Sequence, residues 1–252
     1  RRHTRFKCDW SSDVRSSDLG SVTPDAAPNP TPAPPPDPDL RAGLRRRCRQ
    51  VAIGGAGVFT VLLVVVMIRP APGQFERDLG RLVRRLTFLR DWRHLRDLGD
   101  PLVVVADIGW IAVLSTLARR LRLALVCLGG ALATILLTDV VLQPIVVRPG
   151  VVARDGTRPP DFFPSSHVVA MCAVTAAAVM IIGLGGGSRR LTRVAAALAA
   201  IQSGLVAWAS VYLGAHYAFD VLASVALAAA GMAVTLEAAL RWGVIPSEPS
   251  HT

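Results

Sequence analysis

Two histidines carry the best prospect of chemistry in this sequence. His216 precedes Asp220 by four residues, near the start of an apolar run. If one helix covers both, they share a face and the carboxylate accepts a hydrogen bond from one ring nitrogen. The other nitrogen is then available as nucleophile or base, with the carboxylate fixing the tautomer and stabilising the positive charge that develops. Such a pair also serves simply to cap or pack a helix end. His167 closes the run Pro164-Ser165-Ser166-His167, where a polar loop gives way to an apolar helix. Ser165 or Ser166 is the natural N-cap there, and the unpaired N–H groups of a helix start, with hydroxyls beside them, suit an anion. The loop before it adds Arg148, Arg154 and Arg158, each able to form paired hydrogen bonds to a phosphate.

What brings these groups together is a set of apolar runs. Of 252 residues, 52% are apolar, and they gather into stretches near the roughly 20 residues that a helix needs to cross a bilayer. The spans read as Val51–Ile68, Pro101–Ala118, Leu123–Val147, His167–Leu184, Val194–Leu213 and Phe219–Leu240. The fold class expected is therefore all-α: a polytopic bundle of about six transmembrane helices. With six spans, the end of the third, the start of the fourth, the end of the fifth and the start of the sixth all lie at one face. His167 and His216 then share a depth. The remaining histidines, His3, His94 and His251, fall in a tail, an interfacial segment and the C-terminus.

The flanks divide the chain further. Residues 1–40 are expected to be a disordered tail, since Ser21–Leu40 holds eight prolines in twenty residues and lacks apolar periodicity. Asp9–Leu19 reads as translated adapter sequence, so about residues 1–20 are set aside from fold reasoning. A membrane domain over 41–242 and a short tail over 243–252 complete the expected organisation. Within the domain, 74–98 places Phe75, Leu79, Leu82, Val83, Leu86, Leu89, Leu95 and Leu98 mostly three or four apart among charges, the pattern of an amphipathic segment lying on the membrane surface. The clusters Arg41–Arg49, Arg119–Arg122, Arg189–Arg193 and Arg241 fall on one side of a six-span topology. The positive-inside rule makes that side, and both termini, cytoplasmic and the histidine face extracytoplasmic; the arginine-bearing stretch 69–100 dissents.

Composition excludes other classes. The net charge of +10 resides mainly in arginines between apolar runs, with no soluble basic domain to bind nucleic acid. Cys8, Cys48, Cys127 and Cys172 lack metal-ligand spacing, and two lie inside apolar runs, so neither zinc nor a disulfide framework is indicated. Asp107, Asp139 and Glu237, within or near spans, leave open a transporter or proton relay.

Together these pieces resemble the type 2 phosphatidic acid phosphatase family, membrane phosphatases related to vanadium haloperoxidases. The likeness covers roughly Val51–Leu240 and is motif-level over about Val140–Asp220. The family's Pro-Ser-Gly-His appears as Pro164-Ser165-Ser166-His167, and its Ser-Arg-x5-His-x3-Asp as Ala209-Ser210, five residues, His216, three residues and Asp220. Its Lys-x6-Arg-Pro keeps Arg148-Pro149, but the lysine position holds Val141, or Gln143 under a shifted register. Ser210 stands where the third-motif arginine would be. The resemblance implies hydrolysis of a membrane lipid phosphate or diphosphate through a phosphohistidine on His216, oriented by Asp220, with His167 protonating the leaving oxygen. Arg148, Ser165 and Ser166 would bind the phosphate, and Arg154 or Arg158 would compensate for the missing cations. No metal or cofactor is implied, and the partners are the lipid substrate and the bilayer. Polyprenyl diphosphate, phosphatidic acid and phosphatidylglycerol phosphate are candidate substrates. A degenerate member that binds lipid phosphate or plays a structural role is the alternative.

Overall fold

The computed structural model describes residues 38–86, 93–149 and 160–244, all within the compact unit Pro35–Thr252. The expected tails over 1–40 and 243–252 lie almost wholly outside the described residues. Helices α1 (Pro38–Ile68), α2 (Gln74–Leu86), α3 (Arg93–Asp97), α4 (Pro101–Leu117) and α5 (Leu121–Leu136) come first, and α5 runs on through a π turn (Leu137–Leu142) into the short α6 (Gln143–Ile145). A two-stranded antiparallel ribbon of β1 (Val147–Pro149) and β2 (Pro160–Phe162) pairs Arg148 with Asp161. Helices α7 (Ser166–Leu184), α8 (Arg189–Tyr212) and α9 (Ala218–Arg241) follow. The ribbon is the one sheet among the described residues, in a stretch that the sequence alone presents as a polar loop.

Five helices are long and apolar enough to cross a membrane, and α4 is an apolar helix of 17 residues, at the short end of the spanning range. The expected bundle of about six spans is what the chain forms. Large side chains such as Ile53 and Leu102, 73% and 81% exposed, are costly in water but match lipid tails. The amphipathic stretch resolves into α2 and α3, as its three- and four-residue spacing requires.

Helix starts follow local chemistry. Asp100 caps α4 by accepting from the Leu102 N–H at 3.0 Å, with Pro101 in the first turn, and Ser188 caps α8 by accepting from Leu191 at 3.1 Å. Helix α1 starts well before its apolar run, because the basic cluster finds partners. Arg49 and Arg241 both reach Glu237 at 2.8 Å, and Arg45 donates to the Leu240 carbonyl at 3.2 Å. These contacts fasten the start of α1 to the end of α9. They also give Glu237 an ion-pair role, which weakens its case as part of a proton relay. Arg120 packs against Gly185 after α7, and Arg189 opens α8 just beyond, so the arginine clusters gather at one end of the bundle.

Helix α7 lies at the centre, with Val168, Val169, Ala173, Val174 and Ala177 buried. Small residues let its neighbours close in, as lipid-embedded helices require when no hydrophobic effect drives them together. A Cβ on Gly130 of α5 would sit 2.0 Å from Thr235 Oγ1 of α9, and one on Gly231 of α9 would sit 2.3 Å from Thr134 Oγ1 of α5. Each threonine thus nests in the other helix's glycine notch. Both hydroxyls donate to their own helix, to the carbonyls of Gly130 and Gly231 at 2.8 and 2.9 Å, so neither is left bare in the interior.

Candidate active site

The site forms at the end of the bundle opposite the arginine clusters. Helix α8 stops at Tyr212, and the chain reverses through Gly214, whose φ of 71° is a left-handed conformation that a Cβ would strain. The Ser210 carbonyl accepts from both Ala215 N at 3.0 Å and His216 N at 3.2 Å, which fixes the backbone beneath the His216 ring. Tyr217 is the N-cap of α9, and Asp220 is its third residue, accepting the Tyr217 N–H on Oδ2 at 2.8 Å. One helix therefore does not cover both members of the pair, as the four-residue spacing had suggested. His216 lies one residue ahead of the cap and is buried, and Asp220 is fully buried.

The other oxygen of Asp220 meets Arg148. This arginine, 1% exposed, projects from β1 and donates from Nη1 to Asp220 Oδ1, from Nη2 to Glu76 Oε2 at 3.2 Å and from Nε to the Pro70 carbonyl at 3.0 Å. Its guanidinium also stacks 4.9 Å from the centre of the Tyr217 ring. Burial alone would lower its pKa; the charge and hydrogen bond of Asp220, followed by those of Glu76, reverse this and raise it above the ordinary arginine value. Glu76 is itself buried at the start of α2, where Phe75 packs on Phe219 of α9 with ring centres 6.2 Å apart. Two carboxylates and one guanidinium thus form a closed ionic knot at the mouth of α9.

At the start of α7, Ser165 is the N-cap and is fully buried, yet its side chain does not cap the helix and its Oγ has no hydrogen-bond partner among the described residues. A buried hydroxyl in that state, beside the free N–H groups of a helix start, suits an anionic oxygen. Ser166 follows in the first turn. Ser224 Oγ shares its hydrogen between the Asp220 carbonyl at 2.6 Å and the Ser165 carbonyl at 3.1 Å, tying α9 to α7. His167 is half-buried and lies within electrostatic reach of Arg96, His216, Asp100 and Asp97. His167 at the start of α7 and His216 just before α9 thus lie at the same end of the bundle.

Residues 120–242 match the PAP2 superfamily, and they contain Arg148, the Ser165–His167 turn, His216 and Asp220. This segment belongs to the PAP2 superfamily. The fold agrees. A transmembrane PAP2-type phosphatidylglycerolphosphate phosphatase from Bacillus subtilis superposes with a TM-score of 0.57 at 17% identity, over 73% of this chain and 94% of that one. Comparison with curated proteins found no match.

Within the PAP2 segment, the positions where cations are missing have structural occupants. The π turn before Gln143 widens the helix by one residue per turn. Val141 is exposed on the bundle's outside, while Gln143 donates from Nε2 to the Pro164 carbonyl at 3.2 Å. Ser210 is fully buried and turns its Oγ back to the Val206 carbonyl at 2.8 Å. Arg154 and Arg158 lie outside the described residues. Sequence reasoning missed Glu76 and Arg96, both outside the PAP2 match. The signal for Glu76 was present: with Gly80 and Val83 it forms the buried face of α2, and an acid on a buried stripe calls for a buried cation. Among the described residues no group of three His, Cys, Asp or Glu side chains converges as a metal site.

Proposed function

We propose that this PAP2 protein hydrolyses a membrane lipid phosphate or diphosphate. The reading rests on one convergence: a buried, unpartnered Ser165 Oγ at the start of α7, beside two histidines within electrostatic reach of each other. A phosphate seated on Ser165, Ser166 and the first N–H groups of α7 faces His216 from one side. A ring nitrogen of His216 attacks phosphorus, the bond from phosphorus to the leaving oxygen breaks, and His167 delivers a proton to that oxygen. Water then attacks the phosphohistidine and gives its proton to His167, the phosphorus–nitrogen bond breaks, and inorganic phosphate leaves. Asp220 stabilises the charge on His216. Arg148 holds Asp220, and it takes a phosphate oxygen by exchanging it for the Glu76 carboxylate. Arg154 and Arg158, outside the described residues, supply further donors.

The substrate class follows from depth: a headgroup at the interface reaches this end of the bundle while its tail stays in the bilayer. Polyprenyl diphosphate, phosphatidic acid and phosphatidylglycerol phosphate all fit that description, and the last is the substrate named for the Bacillus subtilis protein. The arginine clusters at the opposite end support an extracytoplasmic site in the cell membrane and cytoplasmic termini.

Phosphate release from a panel of these lipids, measured with purified protein in chelator beside His216→Ala, tests the proposal. Release that disappears with His216→Ala is expected. Absence of release together with retained lipid phosphate binding would refute hydrolysis and favour a degenerate, phosphate-binding member. The occupants of positions 141 and 210 favour that second reading.

A further inference from the structure

The described site holds one arginine whose buried donor is not yet engaged, and it comes from outside the PAP2 segment. Arg148 has its Nε and both terminal nitrogens directed at Pro70, Asp220 and Glu76. Arg96 differs. Its Nε is buried without a hydrogen-bond partner, and it has no ion pair among the described residues. The acids nearest in sequence are otherwise occupied: Asp100 caps α4 through Leu102 N at 3.0 Å, and Asp97 Oδ2 lies 3.9 Å from His94 Nδ1.

Its position is held firmly. Leu98 packs against the cluster of Val168, Met171 and Val206, which joins α7 to α8. At Gly99 the chain presses so closely on α7 that a Cβ would lie 2.8 Å from the His167 carbonyl oxygen and 2.9 Å from His167 Cβ. Val206 is the residue whose carbonyl receives Ser210 Oγ, so α3 packs beside the part of α8 that ends in Ser210. This packing carries Arg96 to within electrostatic reach of His167.

We propose that Arg96 is a phosphate-binding residue of this site, a cation carried in by the surface segment to meet the anion held at Ser165, Ser166 and His167. The inference rests on the hydrolase reading for the identity of the anion, but not for its binding. A phosphate dianion at a half-buried helix start needs a charge-assisted partner, and a guanidinium with an unused donor facing the interior supplies one. Donation by Arg96 relieves its own buried N–H at the same time.

Inorganic phosphate and orthovanadate are the probes. Their affinity for the purified full chain is read from ligand-induced shifts in thermal unfolding, with lipid phosphate turnover measured alongside. Arg96→Met is expected to weaken both oxyanions about 10- to 100-fold and to raise KM, with the unliganded unfolding temperature held within a few degrees. Arg96→Lys recovers part of the loss, and Arg85→Met, on the exposed face of α2, changes nothing. Wild-type binding with unchanged affinity in Arg96→Met overturns the role of Arg96 alone. Wild-type protein that binds oxyanion but releases no phosphate overturns only the hydrolase reading, and Arg96→Met then still decides this one. Wild-type protein that binds neither oxyanion overturns both.

Discussion

Replacing Arg148 by Met should do far more harm than replacing Glu76 by Gln, although the two side chains touch. The guanidinium is 1% exposed, and the carboxylates it meets, Glu76 and Asp220, are 3% and 0% exposed. Glu76→Gln leaves the Arg148–Asp220 pair charge-balanced and turns charge-assisted bonds into neutral ones, a cost of about 1–2 kcal/mol. Arg148→Met strands two carboxylates in one dry pocket, and breaking a buried pair from one side costs about 3–5 kcal/mol. Against a total stability of about 5–15 kcal/mol, that is a large share. At about 2–4 °C per kcal/mol for a domain of this size, thermal unfolding in detergent, followed by tryptophan fluorescence, should fall by about 6–20 °C for Arg148→Met. For Glu76→Gln the fall should be about 2–8 °C. Protonating either stranded carboxylate removes a buried charge, so the Arg148→Met deficit should narrow as the pH is lowered. An Arg148→Met protein no less stable than Glu76→Gln would refute the ionic knot as described.

Two further outcomes follow from packing and from the site. Gly130→Ala should lower the unfolding temperature by several degrees, because its Cβ would land 2.0 Å from Thr235 Oγ1, whereas the adjacent Gly129→Ala meets nothing within 4 Å and should be neutral; equal effects would dismiss the α5–α9 notch. Ser165→Ala should leave the unfolding temperature unchanged, since its Oγ bonds to no described residue, yet weaken inorganic phosphate binding measured by titration; a stability loss with intact binding would make Ser165 structural.

The span positions were legible because the lengths of apolar runs are a direct imprint of bilayer thickness, and their parity placed His167 and His216 at one end. Arg148 and Asp220 were legible as residues but not as a pair, because 72 residues separate them and a helix pattern carries no rotational setting. The reading of His216 and Asp220 on one helix face failed for a local reason: Gly214 and the Ser210 carbonyl hold a turn that delays the helix until Ala218. Glu76 and Arg96 were hidden differently. The periodicity of 74–98 announces an amphipathic surface, but it does not tell which neighbour that surface lands on, and here it lands beside Arg148 and His167. The π turn likewise leaves no periodic signature, yet it decides that Gln143 rather than Val141 turns toward the loop at Pro164.

The unequal lengths of the helices bear on the lipid itself. At 1.5 Å per residue, the 25-residue span Leu121–Ile145 is about 37 Å long and the 17-residue α4 about 26 Å. A hydrocarbon layer of about 30 Å cannot match both, and thinning of the bilayer beside the short α4 relieves the difference at modest cost. Asp100 and Pro101, where α4 begins, adjoin Gly99 and the backbone of His167. Thinning there would bring headgroups nearer to this end of the bundle, so turnover of a lipid phosphate is expected to be faster in thin bilayers than in thick, sterol-like ones.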